Sequence, residues 1–250
     1  MQMIGLINKF LKPFKFTLKK ENPAEFVADI YADAEFMAIH AQVRDFTMTS
    51  IERMYSLYQS VHYVIDHNLP GDFVECGVWK GGSSMIIALT LKKLGINNRT
   101  IYMYDTFEGM SEPTDNDKDI HGGSAEQQLN SAQKSENIWC YSTLDEVKGN
   151  MQRTGYPTDK IVFCKGKVED TIPHTIPGKI ALLRLDTDWY ESTLHELKYL
   201  YPLLSTKGVL ILDDYGHWQG ARKAVDEYFA AGEKLLLNRI DYTGRIAVKN

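Results

Sequence analysis

Two short apolar runs that each end in carboxylates constrain this chain more than any other feature. ALLRLDTD (181–188) drives straight into Asp186 and Asp188, and GVLILDD (208–214) ends in Asp213 and Asp214. Runs of four to six apolar residues bounded by polar turns read as strands buried on both faces, the pattern of a parallel sheet. In such sheets ligands bind beyond the carboxyl ends of the strands, where these runs deliver four acids to one edge. Burying several carboxylates together is unfavourable unless a cation lies among them. A divalent metal is the simplest candidate, and oxygen donors suit magnesium, manganese or calcium better than zinc.

The rest of the chain fits a sheet of this kind. From residue 72 strands and helices alternate: strands near 72–77, 100–105, 161–165, 180–186 and 208–213, helices near 82–94, 143–153, 191–203 and 219–231. The last 17 residues, KLLLNRIDYTGRIAVKN, read as a hairpin around a glycine turn, so the final strand is expected antiparallel. Residues 22–70 read as helical and substrate-side. In 51–64, Ile51, Met54, Leu57, Val61 and Val64 recur at helical spacing behind Ser50 or Thr49 as cap. Residues 1–70 are therefore expected to be an arm and helical cover, and 71–250 the main unit of a single structural domain. An insertion at about 111–140, polar and glycine-containing in 111–136, is expected to be a structureless lid.

Charge and cysteine usage narrow the surroundings. A net charge of −5 over 250 residues argues against a nucleic-acid partner. Cys76, Cys140 and Cys164 are odd in number and lack zinc spacing, which favours reduced thiols and a cytoplasmic location. No apolar run is long enough to cross a membrane. The first 20 residues hold five lysines and no acid, and read as a docking arm or self-association contact of a homo-oligomer.

Two further motifs point to a ligand. VECGVWKGGSS (74–84) turns a strand into a helix with E-x-G-x-x-x-G spacing, where glycines allow close backbone approach and the helix start favours an anionic group. It departs from the dinucleotide fingerprint, because three residues separate Gly77 from Gly81. Asp105 ends the next strand, placed to accept from the hydroxyls of a ribose. Together they suggest an adenosine-containing ligand.

VECGVWKGGSS, YDTFEGM, GKVEDTIP, LDTDWYEST and LDDYGHWQGARKAVDEYF, in that order, resemble the macrocin O-methyltransferase family of class I S-adenosylmethionine-dependent enzymes, over roughly residues 45–231. The resemblance implies an α/β fold: a three-layer, doubly wound, Rossmann-like seven-stranded sheet with an antiparallel last strand. It implies methyl transfer from S-adenosylmethionine to a sugar hydroxyl of a glycosidic small molecule. Magnesium would be held by Asp186, Asp213 and Asp214, with Asp188 as general base. Glu75, Gly77, Val78, Lys80, Gly81, Gly82 and Ser83 would surround the methionine part, Asp105 with Thr106 and Phe107 the ribose, and Lys167, Val168 and Glu169 the adenine; Asp186 would border the cofactor as well as the metal. A catechol-type acceptor and a non-catalytic nucleotide-binding module are the alternatives, and a nicotinamide oxidoreductase is disfavoured by the glycine spacing.

DNDKDIHGGSAE (115–126) places Asp115, Asp117, Asp119 and Glu126 at calcium-loop positions, but Ile120 stands where glycine is required, so it reads as an acidic lid. His217 is a candidate second-layer or substrate contact, Tyr190, Tyr215 and Trp218 a candidate aromatic wall, and Arg222 and Lys223 solvated.

Overall fold

The strands that read as buried runs assemble into a seven-stranded sheet of order β3-β2-β1-β4-β5-β7-β6 in a computed structural model describing residues 27–134, 136–230 and 232–250. They are β1 (Asp72–Cys76), β2 (Ile101–Asp105), β3 (Ile161–Lys165), β4 (Ile180–Leu185), β5 (Leu204–Leu212), β6 (Asn238–Arg239) and β7 (Arg245–Val248). Every residue of β4 is buried, as a central parallel strand covered on both faces requires. β1 to β5 pair in parallel, while β7 joins β5 antiparallel, with Leu210 opposite Ala247. The expected fold class and the antiparallel strand from the C-terminal hairpin are both present.

One face of the sheet is covered by α1 (Ala28–Ala32), α2 (Ala34–Val43), α3 (Ile51–Asp66), α4 (Gly82–Lys93) and α6 (Leu144–Arg153); the other carries α7 (Val168–Thr171), α8 (Tyr190–Tyr199) and α9 (Gln219–Ala230). Ser50 caps α3, its hydroxyl accepting from Arg53 N at 3.2 Å. Met54, Leu57, Val61 and Val64 are buried in the same cluster as Leu182, Val209 and Ile211. That stripe makes α3 a layer of the sandwich rather than a detached cover, and only its start reaches the substrate side. The basic segment 1–20 lies outside the described residues. Among the described residues no helix is long and apolar enough to cross a membrane.

The insertion is not structureless. It holds α5 (Ala125–Ser131), capped by Ser124, whose hydroxyl accepts from Gln127 N at 3.4 Å. Ala125 and Leu129, four residues apart, bury one face of α5 against Trp189, Trp218 and Ala221, a small third core. The Ser124–Gln127 pair is a capping-box signature, masked in the sequence by the surrounding polar residues.

Candidate active site

At the carboxyl ends of β1, β4 and β5 the chain folds around a cleft of about 480 Å³. That is within the range of small-ligand sites, roughly 300–1,000 Å³. Its floor is set by backbone ties between strand ends: Asp186 N donates to Cys76 O and Asp213 N to Leu185 O, both at 2.9 Å. The strands approach so closely that a Cβ on Gly77 would stand 1.8 Å from Asp186 O, at a backbone φ of +80°. Gly77→Ala is therefore expected to destabilise the fold by about 3 kcal/mol, from clash and left-handed strain together, read by denaturant unfolding; a loss below 1 kcal/mol would show that the strand ends can part.

The carboxylates meet as expected. Oxygens of Asp186, Asp213 and Asp214 all lie within 4.8 Å of one another. Asp188 sits beside them with φ +66°, and its N–H donates to Asp214 Oδ2 at 3.1 Å. A non-glycine residue held in this region is uncommon and concentrates at functional sites.

Two cations among the acids are guanidiniums. Arg184 is 2% exposed; its Nη1 donates to Glu75 Oε1 and to Asp186 Oδ2, both at 2.7 Å, and its Nη2 to Asp213 Oδ1 at 2.6 Å. Arg53, from the first turn of α3, donates to Asp213 Oδ2, and its Nε to Asp241 Oδ2 at 2.9 Å. Neither was among the expected site residues. Arg184 reaches Glu75 across 109 positions and Arg53 reaches Asp213 across 160, contacts beyond the reach of local pattern, although an arginine inside an apolar strand is itself a signal, since a buried charge needs partners.

The balance still leaves room for a dication. Five carboxylates (Glu75, Asp186, Asp188, Asp213 and Asp214) gather around two guanidiniums, which pair with Glu75, Asp186 and Asp213, while Asp241 draws on Arg53 from the other side. Burial pushes the Asp186 and Asp214 carboxyls well above the ordinary range, and their neighbours' negative charges push further. Asp188 is pushed up to about 7, first by burial and then by the charge on Asp186. Burial works against the charge on Arg184, but Asp186, Asp213 and Glu75 outweigh it and hold the guanidinium protonated. An all-oxygen donor set with surplus negative charge suits a hard divalent cation.

The other half of the cleft is formed by the glycine turn, the end of β2 and the start of α7. Glu75, Gly77, Val78, Gly82, Ser83, Asp105, Thr106, Lys167, Val168 and Glu169 line it. Glu75 is buried, accepting from the Ser84 hydroxyl as well as from Arg184. Asp105 turns back to the glycine turn: its Oδ2 accepts from Val78 N at 2.7 Å and Trp79 N at 3.1 Å, and its Oδ1 from Phe107 N at 2.6 Å. The Thr106 hydroxyl, with one hydrogen to give, lies 2.6 Å from Gly109 O and 3.4 Å from Asp105 Oδ1. One acceptor position on Asp105 thus remains for a ligand hydroxyl.

Three expected cofactor residues do not line the cleft. The Lys80 ammonium lies 4.9 Å from the centre of the Trp79 ring. Gly81 packs from behind against Val147 and Met103. Phe107 is buried against Phe163. Successive residues of a tight turn point in different directions, so a contiguous motif cannot all face one ligand.

Beside the carboxylates the cleft is also lined by Met48, Met110, Ile138, Trp189, His217, Trp218 and Tyr242. His217 Nδ1 lies 2.5 Å from the Tyr242 hydroxyl, and burial lowers its basicity. Of the expected aromatic wall only Trp218 is present. Tyr190 donates to Glu227 Oε2 at 2.7 Å, and Tyr215 lies between the guanidiniums of Arg222 and Arg245, both away from the cleft. Cys76 packs within the core, its thiol raised by burial. In the 115–126 loop Asp119 accepts from His121 N and Gly123 N, turn-bracing bonds.

The family model described as macrocin-O-methyltransferase matches residues 9–247. The 8-demethyl-8-(2,3-dimethoxy-alpha-L-rhamnosyl)-tetracenomycin-C 4'-O-methyltransferase of Streptomyces olivaceus is 36% identical over 199 residues, covering 79% of this chain and 73% of that protein. The mycinamicin III 3''-O-methyltransferase of Micromonospora griseorubida is 35% identical over 182 residues, covering 73% and 69%. The solved structure of the O-methyltransferase NovP superposes with a TM-score of 0.70 at 31% identity, covering 82% of each chain.

Proposed function

This chain belongs to the macrocin-O-methyltransferase family, and on that premise we propose that it moves the methyl group of S-adenosylmethionine onto a sugar hydroxyl of a glycosidic natural product. Magnesium would be held by Asp186, Asp213 and Asp214, and Asp188 would take the hydroxyl proton. The observation that carries this reading is the convergence of three carboxylates within 4.8 Å beside the left-handed Asp188. The relative whose acceptor carries a rhamnosyl group supports the sugar as substrate class.

The chain's residues divide the work by position. Glu75, Gly77, Val78, Gly82 and Ser83 would hold the methionine end of the donor, the open acceptor site of Asp105 a ribose hydroxyl, and Lys167 to Glu169 the adenine. Lys80, Gly81 and Phe107 would shape this half from behind. The donor supplies an electrophilic methyl group that needs no protein nucleophile, and a bound magnesium ion would acidify and orient a hydroxyl, as it does water. An alcohol, about as weak an acid as water, loses its proton only far above neutral pH, against about 3.9 for an ordinary aspartic acid. Asp188 is thus a poor base for a free alcohol, and burial that raises its proton affinity moves it in the useful direction. Trp189 and Trp218, packed edge to face at 4.9 Å, exclude water beside Asp188 and offer an apolar surface to the acceptor.

Calorimetric titration of S-adenosylhomocysteine into the protein, with magnesium and then with chelator, tests the reading. Micromolar binding is expected in both, with a shift between them because Arg184 touches both halves of the site. No binding in either condition would remove the donor assignment.

A further inference from the structure

The helix that follows Asp188 starts without a cap of its own. Trp189 stands at the N-cap of α8 and its side chain makes no capping bond, which leaves first-turn N–H groups in need of partners. One is met from 73 positions away: Tyr190 N donates to Asp117 Oδ1 at 2.8 Å. Asp117 belongs to the insertion and is 1% exposed. Its second oxygen accepts from Thr114 N at 2.7 Å and from the Thr114 hydroxyl at 2.9 Å, and its carbonyl accepts from Ala125 N at 3.0 Å, at the start of α5. A carboxylate is the favoured group at a helix start, where it meets both the free N–H and the positive end of the dipole.

Gly220, in the first turn of α9, completes the arrangement. A Cβ there would stand 2.0 Å from Asp117 Oδ1, so the absence of a side chain is what admits the carboxylate. Around this point the insertion is tied on by Gln219 N to Lys118 O at 2.8 Å and Trp189 Nε1 to Ser111 O at 3.1 Å.

We propose that Asp117 is a positioning residue for Asp188: reaching from the insertion, it caps the helix that begins two residues after Asp188, so that closure of the insertion and the conformation of residues 186–190 form one cooperative unit. The proposal concerns conformation, and only its kinetic arm rests on the methyl-transfer reading.

The test is hydrogen exchange and thermal unfolding of the full chain as wild type, Asp117→Ala, Gly220→Ala and the double variant, with Asp117→Ser, which also vacates the space beside Gly220, in place of Asp117→Ala should the latter not fold. Both single variants are expected to lose at least tenfold in protection at the Tyr190 amide and across 111–131 together. In the double variant Gly220→Ala is expected to add no further loss, because the carboxylate it displaces is gone. Equal losses from Gly220→Ala in both backgrounds, or loss at 111–131 with Tyr190 still protected, would overturn the proposal. In the kinetic arm, Asp117→Ala is expected to lower kcat about tenfold with the donor KM within threefold; an unchanged kcat would also overturn it. Should the wild type turn over no acceptor, the exchange arm still decides.

Discussion

Asp188→Asn is expected to lower kcat at least a hundredfold while leaving donor and magnesium affinity within about threefold, the range that loss of one general base produces. The substitution keeps shape while removing the carboxylate's charge and its capacity to accept a proton. The bond from the residue-188 N–H to Asp214 is made by backbone and survives it. Single-turnover rates beside calorimetry separate the two effects, and full activity in the variant would end the base assignment. Asp213→Ala is a poor substitute for this experiment. Both oxygens of Asp213 serve arginines, and removing one partner of a buried ion pair costs about 3–5 kcal/mol, so lost activity there would not be attributable to lost metal.

Metal-free protein is expected to lose stability as pH rises from 5 to 8, and magnesium is expected to restore it at pH 8 and do little at pH 5. The folded pKa of Asp188, about 7, lies above its unfolded value near 3.9. Between the two the folded state binds the extra proton, so its stabilisation is complete below the lower value and lost as pH climbs through the upper one. Within the window from pH 5 to 8 about two units of that interval are crossed, which corresponds to about 3 kcal/mol. The raised Asp186 and Asp214 act in the same sense. A dication competes with those protons, since ligands must be deprotonated to bind, and at a hundred times its Kd would add about 2.7 kcal/mol. Thermal unfolding at the two pH values, with chelator and with magnesium, reads the effect; a pH-independent response to magnesium would show that these acids do not carry the linkage.

The strand ends were legible in the sequence because buried parallel strands leave an apolar run that stops at a carboxylate, as ALLRLD and GVLILD do. The glycine turn was legible as a motif, but not in its detail: which of its residues face the ligand depends on dihedral angles that composition does not encode, and Lys80 and Gly81 do not line the cleft. α3 was legible as a helix, with Ser50 as one of two candidate caps. Its place as a layer of the sandwich was not, since an apolar stripe does not name the surface that covers it. The least visible parts were the long-range polar contacts. A requirement for cations among the acids follows from electrostatics alone, yet that Arg53 and Arg184 supply two of them, and that Asp117 serves α8, became apparent only with the chain folded.

Arg184 holds Glu75 with one nitrogen and two acids of the other half with both. For anyone wishing to redesign the protein, that crossbar would tie the proposed donor site to the proposed metal site: a change at Glu75 would also loosen the orientation of Asp186 and Asp213. The proposed acceptor wall carries no such tie, being built from Met48, Met110, Ile138, Trp189, His217, Trp218 and Tyr242, from loops beside the insertion, before α3, α8 and α9 and in the C-terminal hairpin. New acceptors are best sought there, by exchanging residues around the Asp117 latch while leaving the latch and the crossbar in place.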